Sequence, residues 1–201
     1  MGVTIHYSGK LDHLNSIDSL REELIDICTA MKWKWNSLDD DWSKSVDATL
    51  VHEEENGSIV GHLGLKGISF SPHRDCETVN IFFDSKGLLM SPIGVILTLE
   101  GKINCTGTSV KTQFAPLHVH MTLIKLLKYL KKRYISDIDV LDEGGYWEAE
   151  NEQVLRKRID RLNRAMDQLD EGLSKLTMKK STSTSISVRE IEKIIRRLLN
   201  G

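Results

Sequence analysis

Hydrophobic and polar residues alternate along several short segments in the first half of the chain. Val3, Ile5 and Tyr7 are separated by single polar residues, and this period of two predicts a strand with one buried face. Further apolar segments with strand character occur at 48–52, 59–70, 79–83, 95–99 and 110–114. Because short connections separate them, the pattern predicts an antiparallel meander.

Asn56 and Gly57 stand between the apolar segments 48–52 and 59–70. This dipeptide is favoured in two-residue hairpin turns, because both central positions of such a turn take positive φ. We therefore expect a hairpin whose turn is centred on 56–57 and which pairs the two segments.

Two longer segments have apolar residues spaced three and four apart, which predicts amphipathic helices. The first spans 17–31 after a capping Asn15 or Ser16, and the second opens at Pro116, where a missing N–H is tolerated. No strand–helix alternation is present between them. The sequence thus predicts an α+β fold, an antiparallel meander sheet with two helices packed on one face.

The most regular pattern in the chain follows Trp147. Its apolar residues, spaced alternately four and three apart, are Leu155, Ile159, Leu162, Met166, Leu169, Leu173 and Leu176. These three heptads predict a long amphipathic helix over 148–180, after an α+β domain at 1–147. The Ser/Thr-rich segment 181–187 predicts a flexible linker, and the apolar spacing in 188–201 predicts an amphipathic tail helix.

The apolar stripe of the long helix has two interpretations. It pairs with a second copy or another protein, or it packs on the chain's own sheet or tail helix. The first interpretation gives the leading prediction, a binding protein that self-associates, as a homo-oligomer, or docks to a protein partner through its C-terminal helices.

Composition excludes some classes of protein and favours a compartment. Lys and Arg number 27 against 29 Asp and Glu, a net charge of -2 that excludes a generally basic nucleic-acid coat. No apolar run approaches the roughly 20 residues that span a bilayer, so we expect no membrane partner. The three cysteines, Cys28, Cys76 and Cys105, are an odd number without close pairing, which favours a reducing compartment and predicts a cytoplasmic protein.

Common cofactor motifs are missing from the sequence. It contains no phosphate-binding GxxxxGK[ST], no GxGxxG between a strand and a helix, and no HExxH. A GxSxG nucleophile elbow is missing as well. We therefore predict no cofactor.

His73 and Cys76 are separated by two residues and form a candidate site for a soft metal. His118 and His120 offer further imidazoles, but on a helix that begins at Pro116 they lie about 200° apart around the axis. At most one of them would join His73 and Cys76. The alternative is a surface loop at 73–76 and a buried, hydrogen-bonded His120.

Asp142 and Glu143 stand directly before two glycines and an aromatic pair. At a tight glycine turn, one of two paired carboxylates can have a raised pKa and act as a general acid or base. With His118 or His120 and with Lys111, they suggest a small hydrolase-like enzyme. The alternative is that both are solvated turn residues and that the neighbouring Trp147 anchors the third helix.

A basic segment runs from Lys125 to Arg133 along the second helix. Phosphate backbones are attracted to such a surface, so a nucleic-acid accessory protein is a further alternative. Lys and Arg are also favoured near helix C-termini in any case, and the acidic residues at 137–143 reduce the positive field. Nucleic acid is therefore a possible but less favoured partner.

Overall fold

The computed structural model describes residues 3–53, 56–102 and 106–179, and it confirms an α+β fold with antiparallel sheets. The helices are α1 (Ile17–Ala30), α2 (Pro92–Leu99), α3 (Leu117–Arg133), α4 (Tyr146–Ala149) and α5 (Glu152–Lys179). The strands are β1 (Thr4–Ser8), β2 (Lys34–Asp39), β3 (Thr49–Glu53), β4 (Asn56–Val60), β5 (Lys66–Ser71), β6 (Val79–Phe83), β7 (Leu89–Met90), β8 (Thr108–Lys111) and β9 (Asp139–Asp142). The predicted linker at 181–187 and tail helix at 188–201 lie outside the described residues.

The strands form three sheets, and only part of the predicted meander is present. β5, β6 and β7 are consecutive neighbours in a sheet of order β2-β5-β6-β7, while β3 and β4 form a separate hairpin. The third sheet has the order β8-β1-β9 and joins the N-terminal strand to two strands far along the chain. These long-range pairings place β1 at the centre of the sheet that carries the candidate site.

The predicted strand at 95–99 is wrong, because this segment belongs to helix α2. The Ser91 side chain accepts a hydrogen bond from the Gly94 N–H at 3.0 Å and so caps the helix. Pro92 then occupies the first helical turn, where its missing N–H costs nothing. A short apolar run with alternating bulky residues fits either a strand or a buried helix. Here the Ser91 cap favours the helix.

The predicted hairpin turn at 56–57 is also wrong. Asn56 pairs with Glu53 and Gly57 pairs with His52, so both residues belong to strand β4. The predicted strand at 59–70 ends at Val60, where Gly61 and Gly64 take φ values of 99° and 65°. These left-handed glycines turn the chain away, and β5 begins in a different sheet.

Most of the buried apolar residues form one core between the sheets and helices α1 and α3. Ile5 and Tyr7 of β1 are buried there beside Leu24 of α1 and Leu127 of α3. A smaller cluster lies on the opposite face of the β5–β7 sheet and includes Phe82 and Val95 of α2. The outward faces of β1 and β9 are exposed to solvent at His6, Asp139 and Leu141.

Candidate functional site

Asp142 lies at the end of β9 and is buried, with only 4% of its surface exposed. Its Oδ1 accepts the Gly144 N–H at 2.7 Å. Its Oδ2 accepts the N–H groups of Tyr146 and Trp147 at 2.7 and 2.9 Å. The carboxylate therefore caps the first turn of α4 and fixes the glycine turn, where anionic acceptors are favoured.

His120, on the buried face of α3, meets this carboxylate. Its Nε2 lies 3.1 Å from Asp142 Oδ1, which is within ion-pair distance. The angle at Nε2 is too bent for a hydrogen bond. Its Nδ1 lies 2.7 Å from Thr112 Oγ1, and Thr112 Oγ1 lies 3.3 Å from the Val3 carbonyl oxygen. A polar chain of Thr112, His120 and Asp142 thus crosses the core beneath the sheet.

Several opposing effects set the pKa of Asp142. Burial by itself would raise the pKa of the carboxyl. The His120 imidazole next to Oδ1 opposes this, together with the N–H groups of Trp147 and Gly144. These interactions outweigh burial, so the pKa of Asp142 lies below its ordinary value and the group stays ionised at neutral pH.

We expect Asp142 to make the fold sensitive to acid. Because its folded-state pKa is lowered, its contribution to the free energy of unfolding is complete above about pH 4 and is lost as pH falls through the folded-state value. The stability difference between the wild type and Asp142→Asn should therefore narrow as pH falls below about 4. Urea titrations between pH 5 and pH 2 measure this difference, and a difference that does not narrow below pH 4 contradicts the expectation.

Gly144 lies in close contact with this pair. A Cβ placed on Gly144 would come 2.9 Å from both Asp142 Oδ1 and His120 Cε1, and 2.6 Å from a methyl carbon of Leu155. Any larger residue would therefore displace a buried group. Leu155 itself belongs to the first turn of α5, so the third helix starts directly against the pair.

Glu143 points to solvent, unlike its neighbour Asp142. Its carboxylate accepts the Thr4 N–H at 2.9 Å, and its backbone carbonyl accepts a hydrogen bond from Arg158 of α5 at 2.9 Å. The predicted acid–base pair is therefore divided between the core and the surface.

Lys111 and His118 lie away from the buried pair. Lys111 pairs with Thr4, whereas Asp142 pairs with Ile5, and neighbouring strand residues point to opposite faces. The Lys111 ammonium lies 5.2 Å from the ring centroid of Phe114. His118 is exposed on α3.

Thr112, His120 and Asp142 have the order of a hydroxyl, a base and an orienting carboxylate in hydrolases. However, Thr112 and His120 are each only 1% exposed. A substrate would have to enter the core to meet the hydroxyl. The arrangement instead stabilises the connection between β9, α4 and α3, because buried polar groups require partners.

His73 and Cys76 lie in one turn, but each has another partner. His73 Nδ1 accepts the Asp75 N–H at 3.1 Å, and the Cys76 thiol lies 3.7 Å from the Lys111 carbonyl oxygen. Among the described residues, no three His, Cys, Asp or Glu side chains come together as a metal site requires. The metal hypothesis gains no third ligand from this part of the chain.

The basic surface of α3 is occupied in part by other groups of the same chain. Lys128 forms an ion pair with Glu150, and Arg133 forms one with Glu23. The Lys131 ammonium donates to the Ile138 carbonyl oxygen at 3.1 Å. These contacts leave less positive charge for a phosphate backbone than the sequence indicates.

The stripe of α5 changes its surroundings along the helix. Leu155 and Ile159 are buried in the core of the domain, and Leu162 is half-buried against it. Met166 is 42% exposed, although its sulfur accepts a hydrogen bond from the Gln113 amide. The side chains of Leu169, Leu173 and Leu176 lie outside the described residues.

Sequence reasoning did not identify Thr112 as the partner of His120. Its position two residues after Val110 placed it on the inward face of a strand, and an inward Thr requires a hydrogen-bond partner. The alternation of apolar and polar residues therefore indicated a buried hydroxyl group at Thr112. The identity of its partner depends on how α3 packs against the strand.

No protein-family model matches the chain, and comparisons with curated proteins and with solved structures find no match. In the described part of the chain, no helix is long and apolar enough to cross a membrane.

Proposed function

We propose that the protein is a binding protein that self-associates through the C-terminal half of α5. The observation that supports this is the solvent exposure of the side chains along the apolar stripe of α5. It rises from 0% at Leu155 and 8% at Ile159 to 42% at Met166. The stripe therefore leaves the domain's own core while its apolar spacing continues in the sequence.

An apolar stripe that is exposed at Met166 and continues in the sequence to Leu176 favours helix–helix association. α5 extends from Glu152 to Lys179, and its first half is held to the domain by Leu155 and Ile159. Anchoring the first half of the helix to the domain reduces the entropy lost on pairing. A second copy carries the same stripe and completes an isologous pair of helices.

Replacing Met166 by Glu should weaken self-association. A charge on the stripe would have to be buried without a partner in the paired helices, so we expect the dissociation constant to rise about tenfold or more. Native mass spectrometry and light scattering on the full chain measure the subunit number. Leu173→Glu tests the same stripe further along and does not involve the contact between Met166 and Gln113.

Gln168→Glu is the matched control, because Gln168 is exposed and lies off the stripe. It introduces the same charge on the same helix, and we expect the oligomer to persist. A wild-type protein that stays monomeric at micromolar concentrations would contradict the proposal. An oligomer that Met166→Glu and Leu173→Glu both leave intact would place the interface elsewhere.

We also propose that the protein acts in the cytoplasm. Cys28 and Cys76 are free thiols, which a reducing compartment preserves. Burial raises the pKa of each to about 11, with a further contribution from Glu77 at Cys76, so both stay protonated and unreactive at neutral pH.

A further inference from the structure

A cleft of about 470 Å³ lies where β1, β8 and β9 meet the first turn of α2. This volume falls within the range of small-molecule binding sites. Its walls carry the hydroxyl groups of five serine and threonine residues, together with the Asn80 amide, the His6 imidazole and the Asp139 carboxylate. The lining is therefore dense in neutral groups that both donate and accept hydrogen bonds.

Sheet register brings four of the polar side chains of the cleft onto one face. Ser8 pairs directly with Asp139, and His6 pairs with Ser109, so all four side chains point outward from the sheet. Within the described residues, none of these four side chains has an intramolecular hydrogen-bond partner. They are free to bind a ligand without breaking a contact of the fold.

The remaining lining includes a buried phenol, a close approach of two strands and one exposed apolar side chain. The Tyr7 phenol is only 2% exposed and donates to the Asn80 carbonyl oxygen at 3.0 Å. Gly107 brings β8 close to β1, since a Cβ there would lie 2.8 Å from both the Tyr7 carbonyl oxygen and Ser8 Cβ. Ile93, at 45% exposed, adds one apolar surface at the rim.

The lining disfavours other classes of ligand. No Lys or Arg is among the described residues of the cleft, so an anion has no fixed cation to meet. One carboxylate and one imidazole are fewer protein ligands than a structural or catalytic metal usually takes. A purely apolar ligand would leave the hydroxyl groups without partners.

We propose that this cleft binds a neutral polyhydroxylated ligand of the saccharide class. Sugar hydroxyls donate to the Asp139 carboxylate and exchange hydrogen bonds with Ser8 and Ser109. The C–H face of the sugar ring packs against Ile93. The cleft lies on the globular domain and shares no residue with the α5 stripe, so it works independently of self-association.

The test is saturation-transfer NMR on the full-length protein with glucose and maltose as probes. Cyclohexanol serves as a ring of similar size with one hydroxyl, and glucose 6-phosphate serves as a charged comparator. We expect transfer from the two sugars at millimolar concentration and much weaker transfer from cyclohexanol.

Two variants and one control locate the binding. Asp139→Asn and Ser109→Val each remove one group at an exposed position, and each should weaken sugar binding about tenfold. Ser58→Val replaces an exposed strand serine outside the cleft and should leave binding unchanged. Thermal melting that matches the wild type shows that the variants are folded.

The proposal is overturned by an absence of transfer from both sugars or by equal transfer from cyclohexanol. Tighter binding of glucose 6-phosphate than of glucose would also overturn it, because the site would then select charge. So would sugar binding that Asp139→Asn and Ser109→Val leave unchanged, since the ligand would lie elsewhere.

Discussion

Replacing Asp142 by Ala should lower the free energy of unfolding by about 3–5 kcal/mol, the usual cost of removing one partner of a buried pair. The change leaves three backbone N–H groups and the His120 Nε2 without the oxygens that now face them. None of these groups is easily reached by water, because His120 and Asp142 are both buried. Urea unfolding at neutral pH measures the loss.

Asp139→Ala is the matched control for this change. Asp139 lies on the same strand, but it is exposed and has no side-chain partner among the described residues. Its replacement should change stability by no more than about 0.5 kcal/mol. A loss below about 1 kcal/mol for Asp142→Ala would show that the carboxylate is not the main polar support of the turn.

Replacing Leu155 by Ala should cost about 2–5 kcal/mol, as expected when a fully buried leucine is truncated. Leu155 is 0% exposed, belongs to the main core and lies against Gly144. The loss of this contact removes the first anchor of α5. Amide hydrogen exchange should therefore increase in the first turns of α5 more than in β5 or β6.

Arg156→Ala provides the control at the neighbouring position. Arg156 is exposed, and its ion pair with Glu152 is a solvent-exposed pair one helical turn apart, which contributes little to stability. We expect a change of less than about 0.5 kcal/mol. Equal losses for Leu155→Ala and Arg156→Ala would contradict the assignment of Leu155 to the core.

The predictions for Leu155→Ala and Met166→Glu together separate the folding role of α5 from its proposed binding role. Leu155→Ala tests the anchored start of the helix, and Met166→Glu tests the stripe where it is exposed. If the domain stays folded while self-association is lost in Met166→Glu, the two halves of one stripe have different roles. The spacing of the stripe is the same in both halves, so sequence alone does not distinguish them.

Much of the local structure follows from the sequence. The periodicity predicts α1, α3, β1 and β6 close to their observed bounds, because each buries one face at the period of its own backbone. The long apolar stripe likewise predicts α5. Pro116 marks the start of α3, where fixed φ and a missing N–H are both tolerated.

The segments that the sequence misassigned or left without a predicted element lack a one-sided pattern. α2 is apolar on nearly all sides, and β2 is exposed over most of its length, so neither shows a clear period. The hairpin register depended on a turn dipeptide that pairing places within β4. In each case, contacts with other elements outweigh the local preference.

The candidate site was likewise predicted only in part by the sequence. The sequence by itself determined that His120 lies on the buried face of a helix and that a glycine turn follows Asp142. Only the tertiary structure decided that these two residues meet, that Thr112 joins them and that Lys111 faces the opposite side of the sheet. Periodicity fixes the direction of a side chain within its own element, whereas a contact between distant elements depends on how their surfaces pack.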